Sequence, residues 1–232
     1  MLFNSYIFIL FFLPIVVTGW FMFNKLKSNV IAKVFLVAMS LWFYSYTNVF
    51  YLFLISGSIV FNFFISLFLK KINNNLGKKV IGIIGIIFNL GLLFYFKYYD
   101  FFISNINSLF KVDYTLLHIA LPLGISFFTF QQISYVVDRM KGEAPHYNIL
   151  DYAVFVSYFP QLVAGPIVKH SEMIPQFNDE KNRLFNYDNF AKGIVLFIVG
   201  LSKKMIIADN LALAVNYGYD NIDKLDTLGA FL

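Results

Sequence analysis

Hydrophobic positions run through this chain in long blocks separated by short polar breaks, without the alternation of a strand. Between Val34 and Leu69 there is no Asp, Glu, Lys or Arg. About 20 apolar residues cross a bilayer, so that run alone is long enough for two crossings. Hydrocarbon leaves open backbone groups unsatisfied, and the dyad repeat of a barrel strand is missing, so the blocks read as helices. The pattern predicts helices at 2–23, 34–50, 51–69, 80–98, 119–137 and 189–207. This is an all-α, polytopic membrane architecture, expected as a single domain over residues 1–232.

The breaks carry the rest of the topology. "MLFNSYIFILFFLPIVVTGWFMF" lacks the basic start and small-residue cleavage site of a signal peptide and reads as a retained span. "NNNLGKK" at 73–79 is a polar turn. The stretch 99–117 is too polar to span comfortably and suits an interfacial helix, and 169–188 reads as a cytoplasmic loop with local helix. Lys25, Lys27 and Lys33 follow the first span, Lys70, Lys71, Lys78 and Lys79 the third, and Arg139 and Lys141 the fifth. Positive charge gathers on the cytoplasmic side, which puts the N-terminus outside.

Composition narrows the class further. Only 13% of the residues are charged, while 59% are hydrophobic, with 30 Phe and 15 Tyr. The net charge of +5 is no nucleic-acid signature, because the lysines cluster at the ends of apolar runs. The absence of cysteine removes disulfides, thiolate catalysis and Cys-based metal sites. The lipid bilayer is the one partner that composition demands.

Two segments are apolar yet irregular. "LPLGISFFTFQQISYVVDRMKG", residues 121–142, carries Gln131 and Gln132 along with Ser and Thr. Polar groups at membrane depth face a bundle interior or a wet cavity, so these amides are either interhelical glue or the lining of a polar tunnel. The second segment, "DYAVFVSYFPQLVAGPIVKH" at 151–170, has 17 uncharged residues after Asp151 but is interrupted by Pro160, Gly165 and Pro166. Proline removes a backbone donor, and the carbonyls so freed must be satisfied by protein or water. The expectation is a broken or re-entrant helix near 151–168, a kinked structural helix being the alternative.

Titratable groups give little by themselves. His118, His146 and His170 have no His or Glu four residues on, as a helical metal site would. They read as loop or interface histidines. Asp138, Arg139 and Asp209 stand where charges mark a membrane boundary. Lys203 and Lys204 either anchor the topology or meet the phosphates of a cytoplasmic donor, with no phosphate-binding glycine loop beside them.

Taken together, the two irregular segments, their "PQLVAGPI" core and the later "GLSKKMIIADNLA" resemble the membrane-bound O-acyltransferase (MBOAT) family, in its bacterial alginate O-acetyltransferase-like branch. The resemblance implies an integral enzyme that moves an acetyl group from acetyl-CoA or another acyl thioester to hydroxyls of an exported or cell-wall polysaccharide such as alginate or peptidoglycan. It also implies a periplasmic or extracellular acetyltransferase partner. On that resemblance the cavity is lined by Gln132, Tyr158, Pro160, Gln161, Gly165 and Pro166, with Lys169, Lys203 and Lys204 nearest the donor phosphates.

The family's catalytic histidine sits in a Trp-rich segment of the form Phe-Trp-Arg-x-Trp-His. The only tryptophans here are Trp20 and Trp42, so no catalytic role transfers to any residue. With "DTLGAFL" at residues 226–232 reading as the opening of another span, the chain is expected to be the N-terminal part of a longer domain that carries this histidine beyond Leu232. D-alanyl transfer to teichoic acid is the alternative inside the family. A transporter or flippase also builds sites from broken helices, although inverted-repeat hydropathy and intramembrane charges are missing here. A non-catalytic membrane scaffold is the third alternative.

Overall fold

The computed structural model describes residues 1–26, 28–166 and 168–221, all-helical apart from their connections. Lys27, Ile167 of "PQLVAGPI" and "DTLGAFL" lie outside the described residues. The chain divides into two compact units. One is formed by 14–184 with Met1, the other by Leu2–Leu13 with the segment from Phe185 onward.

In the larger unit the helices start and stop where local chemistry directs. α1 covers Leu13–Lys25, entered from a π-helical turn at Phe8–Phe12 of the smaller unit and belonging to the larger from Pro14 on. Ser28 caps α2 (Asn29–Ser45) by accepting from the Ile31 amide, and α3 covers Phe50–Lys71. Asn74 caps α4 (Asn75–Leu93) through the Leu76 amide. Each cap satisfies an amide that the first helical turn leaves without a partner. A π-helical turn at Phe94–Tyr98 carries α4 without a break into α5 (Tyr99–Phe110).

Three described helices are long and apolar enough to cross a membrane: Phe8–Lys25, Phe50–Lys71 and Asn75–Phe110. The last has 36 residues, which at ~1.5 Å each exceeds the ~30 Å hydrocarbon core. The stretch expected as a separate interfacial helix at 99–117 is therefore helical only to Phe110, as an extension of α4.

The fifth predicted helix is displaced. It starts at Ile125 instead of 119 and runs to Lys141 as α6. Pro122 precedes it, and Gly124, at φ +66°, stands in the left-handed region at its N-cap. His118, expected to enter this span, is exposed in the non-helical connection with φ +48°. Gly142 ends α6 at φ +82°, a conformation that costs glycine little.

Asn148 caps α7 (Ile149–Ser157), whose residues from Asp151 to Ser157 are all buried. A helix buried all round must be apolar all round, and "YAVFV" is. Nine residues give about 14 Å, too short to cross the bilayer core. The backbone breaks at Tyr158, resumes as α8 (Phe159–Ala164), and is extended at Gly165 and Lys169 before α9 (His170–Asn178). The break expected near 151–168 is thus present. α9 and α10 (Glu180–Arg183) supply the local helix expected in the loop that follows.

α7 is the hub of the larger unit. Tyr152 and Phe155 on α7 share its core with Tyr44, Ile55, Phe128 and Tyr135, all at most 1% exposed. α4 meets α6 through small residues, as helices in lipid do. A Cβ on Gly82 would stand 2.6 Å from the Met140 sulfur.

In the smaller unit, Asn186 caps α11 (Tyr187–Ser202), which continues through a π-helical turn at Lys203–Ala208 into α12 (Asp209–Asp220). The helix expected at 189–207 is longer than predicted, because nothing in "KKMIIADNLA" stops it.

Candidate functional site

The segment 158–170 is shaped by its own side chains. Pro160 lies in the first turn of α8, where a missing N–H costs nothing, and the amides of Gln161 and Leu162 donate to the Tyr158 carbonyl. Gln161 Nε2 donates to the Pro166 carbonyl at 2.9 Å, and the Gly165 amide returns to the Gln161 carbonyl at 3.0 Å. A Cβ at Gly165 would lie 2.8 Å from Gln161 Cα. The Tyr158 ring packs edge-on against Phe177, 5.3 Å between centroids. Gly124, opening α6, stands so close to α8 that a Cβ there would meet the Leu162 carbonyl oxygen at 2.4 Å. Glycine is required on two counts, backbone angle and contact.

Tyr158, Pro160, Gln161, Gly165 and Pro166 therefore belong to one compact turn, with Lys169 exposed three residues on. Gln132 stands apart on α6, fully buried. Its Nε2 donates to Ser58 Oγ at 2.9 Å and its Oε1 accepts from Tyr152 Oη at 3.1 Å, tying α6 to α3 and α7. Gln131 is also buried, and its Oε1 has no hydrogen-bond partner among the described residues. Lys203 and Lys204 lie in the smaller unit, where Lys204 Nζ meets Asp209 Oδ2 at 2.7 Å.

Several buried polar groups were not expected from the sequence. α3 carries Ser58, Asn62 and Ser66 at four-residue spacing, all at most 1% exposed. That spacing puts them on one face of a helix. Asn62 and Asn89 exchange amide hydrogen bonds at 2.6 and 3.2 Å, joining α3 to α4. Ser66 Oγ meets Tyr135 Oη at 2.9 Å and His146 Nδ1 at 3.2 Å. The signal was available as the polar i, i+4, i+8 repeat inside the uncharged run 34–69.

Charged groups occupy the ends of the same helices. Lys33, near the start of α2, is buried and forms an ion pair with Asp151 near the start of α7. Its Nζ also donates to Asn178 Oδ1 at 2.6 Å, while Asp151 accepts from Asn148 Nδ2 at 2.7 Å. Lys33, expected among the cations that follow the first span, is thus a member of a buried pair. His170, the first residue of α9, is 3% exposed. Its Nε2 faces Asp138 Oδ2 at 3.1 Å and its Nδ1 faces Tyr147 Oη at 3.0 Å. A carboxylate accepts only, so the proton lies on Nε2.

Two groups in the connection between α6 and α7 are shifted. Burial, with Tyr135 and Asp151 nearby, raises the Tyr147 phenol, so it stays protonated and can donate to His170. Burial lowers His146, assisted by the positive charges of Lys70 and Arg139. Among the described residues no group of three His, Cys, Asp or Glu side chains could hold a metal ion.

Apolar helices joined by buried amides and hydroxyls, with a broken helix at their centre, define a polytopic helical membrane protein. The chain belongs to the membrane-bound O-acyltransferase family, whose pattern residues 141–217 match. It is 43% identical over its whole length to a protein of Helicobacter pylori named "Peptidoglycan O-acetyltransferase", and spans 49% of that protein. It is 35% identical, over 91% of its length, to "Probable alginate O-acetylase AlgI" of Pseudomonas aeruginosa, and spans 41% of it. The chain thus covers about half or less of these relatives. No solved structure matches it.

Proposed function

We propose that the chain forms the donor-side part of an enzyme that transfers acetyl groups from a cytoplasmic thioester to hydroxyls of a cell-wall or exported polysaccharide. The observation that carries this reading is the alignment of the whole chain with a peptidoglycan O-acetyltransferase at 43% identity. The higher identity to the peptidoglycan enzyme than to the alginate one supports peptidoglycan as the acceptor. The broken helix supports it physically. The backbone leaves the helical path at Tyr158, Gly165 and Lys169 between buried elements, the condition under which such backbone is tolerated at membrane depth.

On this reading Lys169, exposed at the N-cap of α9, meets donor phosphates. Lysine is a compact, rotatable charge suited to phosphate. The lysine clusters support a cytoplasmic-membrane location with the N-terminus outside. An acetyltransferase acting on the outer side would complete delivery. No catalytic role falls on His118, His146 or His170.

The test is release of O-linked acetate from purified wall polymer of cells with and without the full-length gene. Acetate that depends on the gene supports the reading. D-alanine ester on teichoic acid in its place would transfer the assignment to the other branch, and neither ester would overturn it.

A further inference from the structure

We infer that His170 is a positioning residue that fixes the α9 end of the connection from α8, and so sets where Lys169 stands toward the acyl donor. The inference rests on the donor reading above. Its own support is geometric. The backbone between α8 and α9 contains Pro166, which has no N–H to give, and Gly165, the least constrained residue type. One end of this segment is held by Gln161 through the Pro166 carbonyl. The other end is the peptide joining exposed Lys169 to buried His170.

Both nitrogens of that imidazole are engaged, one by Asp138 at the end of α6 and one by Tyr147 in the following connection. The ring is further seated edge-on against Tyr135 on α6, with centroids 5.2 Å apart, and against Phe155 on α7 at 6.3 Å. Three elements therefore hold one side chain, and its neighbour in sequence is the cation. Glutamine can reproduce the pattern, donating from its amide to Asp138 and accepting from Tyr147, whereas phenylalanine keeps the ring and loses both bonds.

The experiment compares the full-length protein with His170→Phe, His170→Gln and Tyr147→Phe in membranes, measuring acetyl transfer against acetyl-CoA concentration. Thermal unfolding in detergent serves as the control for folding. His170→Phe is expected to raise KM for acetyl-CoA about 10-fold with kcat within about 2-fold, the pattern of lost donor binding. His170→Gln is expected to restore KM to within about 3-fold, and Tyr147→Phe to shift it in the same direction as His170→Phe by less, since one bond of two remains. If His170→Phe does not fold, Tyr147→Phe decides: an unchanged KM overturns the inference. So does a folded His170→Phe with wild-type KM, or equal loss of kcat in His170→Phe and His170→Gln. A wild-type protein that transfers no acetyl overturns the donor reading itself, a result separable from all of these.

Discussion

The middle of the larger unit and its charged end use different chemistry for the same task of joining helices. At mid-helix, α3, α4, α6 and α7 are tied by uncharged groups, Asn62 with Asn89, and Ser58 with Gln132 and Tyr152. At the starts of α2, α7 and α9 and the end of α6 the ties are Lys33 with Asp151 and His170 with Asp138. An isolated charge is costly in an apolar medium, while an amide costs little once paired. The difference teaches that polarity in this chain grades with depth. The buried charges of Lys33 and Asp151 stand where helix ends and connections supply extra donors and acceptors, as Asn148 and Asn178 do.

The strongest way to break this comparison is at the ion pair. Asp151→Leu leaves Lys33 buried without its carboxylate, and the expected loss is about 3–5 kcal/mol of unfolding free energy in detergent. The double variant Lys33→Met, Asp151→Leu removes both charges and is expected to recover most of it. Equal destabilisation of single and double variants would show that packing, not charge, holds this end together.

At mid-helix the same operation should cost less. Asn89→Leu takes the donor from Asn62 Oδ1, while its Nδ2 keeps the Ser58 carbonyl; Asn62 is 0% exposed, and the change is expected to cost about 1–2 kcal/mol. Replacing both asparagines by leucine should return towards the parent stability. A single-variant loss as large as that of Asp151→Leu would erase the distinction between middle and end.

A smaller effect concerns pH. His146 has a folded pKa below its ordinary value near 6.5, so the unfolded chain takes up its proton first as pH falls. Stability contributed by neutral His146 is therefore present above about pH 6.5 and declines below it, until the folded group also protonates. The melting temperature should fall between about pH 7 and 5, and His146→Gln should flatten that fall. A rise on acidification would contradict the assigned direction.

How much of this was legible in the sequence follows from how far apart the partners lie. The break at Tyr158–Pro160 is written locally in proline and glycine, and the caps at Ser28, Asn74 and Asn148 are local too. Lys33 and Asp151 are 118 positions apart, and Lys33 next to other lysines reads as a boundary charge until its partner is seen. Gln132 shows the same limit. Its polarity at membrane depth left glue and tunnel lining open, and only the positions of Ser58 and Tyr152 show what its amide meets. His170 reads as a loop or interface histidine in the sequence because Asp138 and Tyr147 reach it from 32 and 23 residues away.

The smallest expected effect sharpens the same contrast on a single helix. Asn89 and Ile87 stand two residues apart on α4, one fully buried and paired, the other 63% exposed. In lipid an outward isoleucine gains little from its neighbours in the protein, since hydrocarbon is as apolar as the core. Ile87→Ala is therefore expected to change unfolding free energy by less than about 0.5 kcal/mol, against the larger loss from Asn89→Leu. The two variants, unfolded side by side in one detergent, ask whether apolar content or polar pairing holds α4 in place. If Ile87→Ala matched Asn89→Leu, the helix would be held by apolar contact on a face that is open here, and α4 would need a protein partner on that side.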